Sequence, residues 1–450
     1  MTTLSRRALL RGGALGAAGL AGLAGCGTVG TAPAATGTIP PKAAGEVVRL
    51  EYWAWLKDLQ QVCDVWNAQR PDIQVEAVWI PGGNDGGYQK LFAAIAAGSG
   101  PDLAQVEMRN VPSFLLQSGL VDVSRYGFNA VAGQYDRALV EQVSFLDGAW
   151  AVPQDSGPMA TFYRPDLLEE VGAGPPSTWA EWLDTARAVH EADPNRWLES
   201  FAVGDTSVFL AFAAQAGAVW FTPEDDRWLV RMTDDATMAV ARHFDTAISE
   251  GVVNTALAPY SPGWFAAVGD GRIAALTSGS WGDALLQGAT GASGLWRVAP
   301  MPVWSDIPGS FGSSYLGGST AALMAGSEHP HEALEFATWM TTSREGIDAM
   351  IQYSGIGWSP ATDYIGSARE EGSEFFGGQA YGAEVFAPAA QEQNLEWTWP
   401  PVAQQVMDGL GDRFLGVLTG ATTMVDAVAA MEGDVVEIFR EKGLQAEVGS

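Results

Sequence analysis

Cysteine, histidine and basic residues are scarce in this 450-residue chain, and each shortage removes a class of explanation. Cys26 and Cys63 are the two cysteines, too few for a disulfide framework. Cys63 falls among Leu59, Val62 and Trp66 at helical spacing, which suits a small buried hydrophobe better than a nucleophile. The four histidines, His190, His243, His329 and His331, are scattered through segments that read as helical. His329 and His331 flank Pro330, poor geometry for two ligands of one ion, so no metal and no cofactor is indicated. Lysine and arginine total 24 against 53 acidic residues, a formal net charge of -29, which argues against nucleic acid as a partner. The acidity itself needs no more than the solubility of an exposed surface. Past the N-terminus no long uncharged apolar run occurs, so nothing further reads as membrane-spanning.

What is present begins with two ordered motifs. Ser5, Arg6, Arg7, Ala8, Leu9 and Leu10 resemble a twin-arginine export signal, and the apolar stretch that follows is too short to span a bilayer. Leu23, Ala24, Gly25 and Cys26 resemble a lipobox, which implies cleavage before Cys26 and lipidation of its thiol. Residues 1–25 are therefore expected to be a signal peptide. Lipid chains gain ~0.8 kcal/mol per buried CH₂, so a lipidated Cys26 would hold the protein at the extracytoplasmic face of the cell membrane. Residues 26–45, rich in Ala, Pro, Thr and Gly, read as a flexible linker. About 425 residues remain, comfortable for two lobes, with 47% hydrophobic content that fits a globular chain.

Regular structure should start near Val47. Val48, Leu50 and Tyr52 alternate with Arg49 and Glu51 as in a strand, and Leu56, Leu59, Val62, Cys63 and Trp66 then follow helical spacing. Ile73, Val75, Ala77 and Trp79 make a second strand, Leu91, Phe92 and Ile95 a second helix, and Leu103 to Glu107 a third strand. This β-α-β-α-β order argues for a largely parallel sheet covered by helices, with ligands gathered past the strand C-terminal ends. Further on, Thr178 and Glu181 form a capping box, Glu332 to Met340 is amphipathic, and Arg413 to Met431 reads as two helices broken near Gly420.

Four segments, in order along the chain, resemble the extracytoplasmic solute-binding proteins of sugar ABC transporters, the group that includes maltose-binding protein. They are Gly100-Pro101-Asp102-Leu103 with Gly119-Leu120-Val121-Asp122; Trp150-Ala151-Val152-Pro153 through Phe162-Tyr163-Arg164-Pro165-Asp166 to Trp179 and Trp182; Phe265 through Gly279-Ser280-Trp281; and Gly317-Gly318-Ser319 through His331-Glu332-Ala333-Leu334 to Trp339. The resemblance implies an α/β type II clamp of two lobes, each a mixed, mostly parallel sheet flanked by helices, with three hinge crossings. By similarity the crossings fall near 155–158, 277–280 and 340–343. The lobes are then 46–156 plus 279–340, and 157–278 plus 341–450. It also implies a monomer that captures a mono- or oligosaccharide between its lobes without chemistry and passes it to a membrane permease.

Sugars present an apolar face and a rim of hydroxyls, so their sites combine aromatic platforms with carboxylates or amides. Of the 18 tryptophans, Trp66, Trp179, Trp182 and Trp339 sit in amphipathic patterns and read as core. Trp281 follows a strand in a Gly-Ser-Trp-Gly turn and matches a family position where an aromatic stacks on sugar. Trp53 and Trp55 follow the first strand; Trp55, further past its end, is the ligand candidate and Trp53 the core one. Trp358, Trp397 and Trp399 lie on loops, where binding and local packing are both open readings. Asp155 falls at the first expected crossing, where the family often places a carboxylate, and Glu107, ending the third strand, matches a family position that faces the cleft. Asp85 stands in a Gly-rich loop. Asp205 suits an N-cap at least as well as sugar contact. Gly318, with Gly317, brings backbone close to ligand or serves a chain reversal. Arg109 pairs with Glu107 or with ligand. Two rival readings use the same residues: a secreted glycoside hydrolase, which needs two carboxylates ~5–10 Å apart, and a binder of a cationic solute such as a polyamine or amino sugar.

Overall fold

Val48, Leu50, Tyr52 and Ala54 are buried while Arg49 and Glu51 face solvent, so the alternation read from the sequence is the pleat of the first strand. The computed structural model describes residues 37–449 except 84–85, 225 and 356–357. The export signal, Cys26 and Asp85 therefore lie outside the described residues.

In chain order the elements that build the site are β1 (Val48–Ala54), α1 (Leu59–Gln69), β2 (Ile73–Trp79), α2 (Gly87–Ala97), β3 (Leu103–Glu107), α3 (Val111–Leu116) and α4 (Arg137–Val143). Then come β4 (Ser144–Phe145), β5 (Gly148–Ala149), β6 (Val152–Pro153), β7 (Met159–Tyr163), α5 (Trp179–Ala192), α6 (Thr206–Gln215), β8 (Phe221–Glu224) and β9 (Arg227–Val230). After α7 (Asp235–Ser249) follow β10 (Ala275–Gly279), β11 (Arg297–Pro300), β12 (Ser319–Leu323), α8 (Pro330–Thr342) and α9 (Arg344–Ala349). The chain closes with α10 (Ala403–Phe414), α11 (Met424–Glu441) and β13 (Ala446–Val448).

The first lobe is a five-stranded sheet of order β2-β1-β3-β12-β6. β1 runs parallel to β2 and β3, whereas β12 is antiparallel to β3 and β6. Its core combines the inward residues of β1 with Val62, Cys63 and Trp66 of α1 and Phe336, Ala337 and Met340 of α8. Burying these side chains contributes ~25 cal/mol per Å² of apolar surface, which outweighs the weak intrinsic preference of β-branched residues for either element. Cys63 is buried and its thiol is held well above its usual range by burial, as its helical spacing implied.

The second lobe departs from the expected parallel pattern. β7 pairs antiparallel with both β10 and β11, and a further sheet of order β13-β9-β8 covers one end. α5 begins at the expected capping box: Thr178 Oγ1 accepts from the Glu181 backbone N–H at 3.1 Å, and the Glu181 carboxylate reaches back to the Ser177 N–H. α10 and α11 are separated by a short turn ending at Gly420, whose φ of 70° is the left-handed conformation that glycine adopts freely.

Only one of the three expected crossings coincides with a change of sheet, the one between β6 and β7. The second lies near residues 313–318, because β11 hydrogen-bonds β7 and Leu286, Trp296 and Val298 pack with Phe162 and Trp264. Residues 279–300 thus belong to the second lobe. The third follows α9, since Ala349 and Met350 still pack in the first core whereas Trp358 packs in the second.

Candidate binding site

β3 delivers Glu107 to the edge of the first lobe, and the following turn carries Arg109. The guanidinium of Arg109 donates to Glu107 at 2.8 Å, and the Tyr88 hydroxyl donates to the same carboxylate at 2.9 Å. Burial holds the Tyr88 phenol well above its ordinary value, so it stays a donor. Facing this group from the second lobe is the start of α6. Asp205 caps that helix, accepting from the Ser207 N–H at 3.1 Å, and Arg109 donates across the gap to the Ser207 hydroxyl at 3.2 Å. Asp205 is therefore the N-cap its sequence suited, and it also lines the chamber wall.

Between the two faces lies a chamber of about 300 Å³. Trp281 lines it, together with Glu107, Arg109, Asp205, Tyr260 and Gly317. The Trp281 ring is fixed by a hydrogen bond from its Nε1 to the Leu316 carbonyl at 2.7 Å. Its neighbour Tyr260 stands at φ 67°, a conformation a bulky residue adopts at a cost. The two ring centroids are 5.4 Å apart. A hydrogen bond of 2.8 Å between the hydroxyls of Tyr260 and Ser278 completes the wall. The reversal at Gly317 and Gly318, with φ of 81° and 92°, brings backbone against the indole. A Cβ on Gly317 would stand 3.1 Å from Trp281 Nε1.

A narrow neck lined by Glu107, Gly318, Tyr315, Trp397 and Trp399 adjoins this chamber. Trp397 and Trp399 hence reach the gap, although Trp397 also packs on Trp220 and is 5% exposed. Behind the chamber sits Glu199, buried, accepting from Trp182 Nε1 at 2.8 Å and from Thr277; burial raises its carboxyl. Trp179 and Trp182 are core residues, as expected, yet their edges reach the chamber wall.

Three candidates lie elsewhere. Trp358 is 1% exposed and packs on Phe386 in the second core, so it is a packing residue. Asp155 lines neither the chamber nor the neck; it accepts from the backbone N–H and hydroxyl of Ser319 where β12 meets the first crossing. Burial pushes its carboxyl up to about 6, partly offset by those two bonds. Trp55 packs edge-on against Tyr88, with centroids 6.1 Å apart, and supports the Glu107 donor from behind. Trp53 is partly buried beneath Lys90, whose ammonium sits 4.2 Å from the centre of its ring. Sequence reasoning missed Tyr260, Ser207 and Glu199. Only Glu199 left a signal, a lone acid between Leu198 and Phe201. Among the described residues no group of His, Cys, Asp and Glu could hold a metal ion.

Two α/β lobes thus share one chamber, and the chain passes between them three times. The family model for bacterial extracellular solute-binding proteins matches residues 53–347. The chain belongs to this family. Among curated relatives, the solute-binding protein is 23% identical over 360 residues to the lactose-binding protein of Rhizobium radiobacter, covering 75% of this chain and 80% of the relative. It is 20% identical over 327 residues to the arabinooligosaccharide-binding protein of Halalkalibacterium halodurans, covering 71% and 72%. Among solved structures, the solute-binding protein resembles the galacto-N-biose-/lacto-N-biose I-binding protein of Bifidobacterium longum, with a TM-score of 0.80 and 24% identity, over 90% of this chain and 100% of that one. The binding protein of B. animalis subsp. lactis in complex with β-1,6-galactobiose gives 0.77 and 24%, over 89% and 100%. These likenesses establish the type II fold of the solute-binding protein.

Proposed function

We propose that this protein reversibly captures a mono- or oligosaccharide between its lobes and delivers it, unchanged and as a monomer, to the permease of an ABC importer. The observation that carries this reading is the pairing, in one chamber, of an indole platform with a polar pair from the opposite lobe: Trp281 beside Tyr260, and Glu107 with Arg109. An indole accepts the apolar face of a sugar, while carboxylate and guanidinium bind neighbouring hydroxyls. The lactose- and arabinooligosaccharide-binding relatives speak for the same ligand class. Ligand that touches both lobes favours closure because it binds the closed state better. A lipid on Cys26 would keep this receptor beside its transporter at the extracytoplasmic face of the membrane.

The rival hydrolase reading loses support from the commitments of its carboxylates. Glu107 is ion-paired to Arg109, Asp205 caps α6 and Asp155 is held by Ser319. A fixed guanidinium in the chamber likewise speaks against a cationic solute. A thermal-shift screen against a broad carbohydrate panel tests the proposal, because a ligand that binds only the folded chain raises its melting temperature by mass action. Recovery of the sugar intact after hours with purified protein is the expected companion result; release of new reducing ends would sink the non-catalytic reading.

A further inference from the structure

The short helix Gly282–Leu286 begins directly after Trp281 and carries Asp283 into the second core. Asp283 is fully buried. One of its carboxylate oxygens accepts from Arg369 Nε and from the Tyr381 hydroxyl, the latter at 2.8 Å, and the other accepts from Arg369 Nη2 at 3.0 Å. A guanidinium fork on both oxygens of a carboxylate fixes direction as well as distance. The surroundings are apolar. Tyr381 packs on Phe376 and Phe386, and the Arg369 guanidinium lies 5.8 Å from the centre of the Trp358 ring.

A charged pair in such surroundings is a poor source of stability. Drying two ions offsets most of their attraction, and apolar side chains of similar volume often hold a fold equally well. What the fork supplies is a fixed position for the residues next to it. Asp283 stands two residues from Trp281, and the turn between them has no slack: a Cβ on Gly282 would stand 2.7 Å from the Tyr260 hydroxyl. The hydrogen bond of the indole itself goes to Leu316, in the second crossing, the chain that must bend if the lobes part. Arg369 comes instead from 86 residues beyond Asp283, past the third crossing and inside the second lobe. Its segment is fastened at the first crossing, where the Ser156 N–H donates to the Trp358 carbonyl at 3.1 Å.

We propose that Arg369 and Asp283 are positioning residues for the sugar platform: the fork holds the helix 282–286, and through it Trp281, at the chamber edge whether the lobes are open or closed. The proposal rests on the reading of Trp281 as that platform. Neither residue lines the chamber or the neck, so each acts through the indole and not by touching ligand.

The test replaces the buried charges by an apolar set of similar volume, Asp283→Leu with Arg369→Met and Tyr381→Phe, in the full-length mature protein. Its melting temperature should stay at the wild-type value or rise. With every tryptophan labelled as 5-fluorotryptophan, the fluorine resonance missing from Trp281→Phe reports on Trp281, and in the unliganded triple variant it should shift and broaden. Calorimetric titration with lactose, β-1,6-galactobiose and the tightest binder of the thermal-shift panel should show affinity weakened by about tenfold. In a Trp281→Ala background the same triple change should cost less than about twofold, because the group through which it acts is gone. Wild-type resonance and affinity in the triple variant would overturn the positioning role, and so would an equal loss in both backgrounds. Arg369→Lys keeps the charge without the fork and is the variant to read if the triple one does not fold. A shifted resonance and an affinity loss of about threefold are expected of it, and wild-type values for both would overturn the proposal. Failure of the wild-type protein to bind any sugar would overturn the sugar reading, whereas the Trp281 resonance of the unliganded variants would still decide whether Arg369 and Asp283 position the indole.

Discussion

At the residue scale, Trp281 is the side chain on which the ligand reading depends most. Half-buried and tied to Leu316, it should lose ~2 kcal/mol or more of ligand binding as Trp281→Ala, roughly 30-fold in affinity. Without ligand the melting temperature should fall by only ~2 °C, the cost of one hydrogen bond and partial burial. A collapse of the unliganded melting temperature would make Trp281 a core residue. Its position was legible because a tryptophan in a glycine-flanked turn after a strand has little sequence-local apolar surface to pack on. Trp358 sits in an equally glycine-rich turn, but its partner Phe386 is 28 residues away in the chain, and nothing local announces it. Asp155 and His243 supply a second residue-scale prediction, with opposite signs. Burial pushes Asp155 up to about 6 and His243 down to about 4. Unfolded values are ~3.9 and ~6.5. Between pH 4 and 6 the folded chain keeps the Asp155 proton longer, so stability falls as pH rises. Over nearly the same window folded His243 sheds its proton earlier, so stability rises with pH, and the two contributions oppose each other. Relative to wild type, Asp155→Asn should gain stability as pH increases across this window and His243→Gln should lose it, by ~1–3 kcal/mol each. Parallel profiles in denaturant titrations from pH 4 to 7 would refute the assignment.

At the element scale, the first lobe was readable because its strands and helices alternate locally and its pleat is written in consecutive residues. The crossings were not, because a crossing is defined by which sheet a strand joins. β11 joins β7, some 130 residues earlier, through backbone hydrogen bonds that no side-chain pattern encodes. The expected boundary at 279 consequently cut the second lobe short. β10 nevertheless ends where the site begins, and that end is tightly packed: a Cβ on Gly279 would stand 2.6 Å from Trp281 Nε1 and 2.7 Å from the Leu316 carbonyl. Gly279→Ala must therefore push the indole off its carbonyl or spread β10 from the crossing. Overpacking of this kind costs ~1–3 kcal/mol. The expected outcome is a lower melting temperature together with weakened ligand binding and altered Trp281 fluorescence. Normal affinity in a destabilised variant would separate the packing at β10 from the binding wall.

At the scale of the whole molecule, closure is a balance between two states, and the lobes touch directly as well as through any ligand. The hydroxyl of Ser113, on α3 of the first lobe, donates to the Pro401 carbonyl just before α10 of the second. Ser113 lines neither the Trp281 chamber nor the neck, so removing its hydroxyl changes closure without touching the wall that meets the ligand. A neutral hydrogen bond contributes ~1 kcal/mol net, so Ser113→Ala should shift the closed-to-open ratio about fivefold toward open. Apparent affinity is the intrinsic affinity scaled by the fraction of closed clamp, so it should weaken by up to about fivefold for every ligand alike. Small-angle scattering should show a larger radius of gyration for the unliganded variant and the wild-type value once ligand is saturating. Equal scattering and equal affinity would mean that the bond forms only after ligand has already closed the lobes. Loss confined to one ligand would place Ser113 in the binding wall. A uniform loss that saturating ligand restores is the signature of a clamp whose two lobes are coupled by their own contacts.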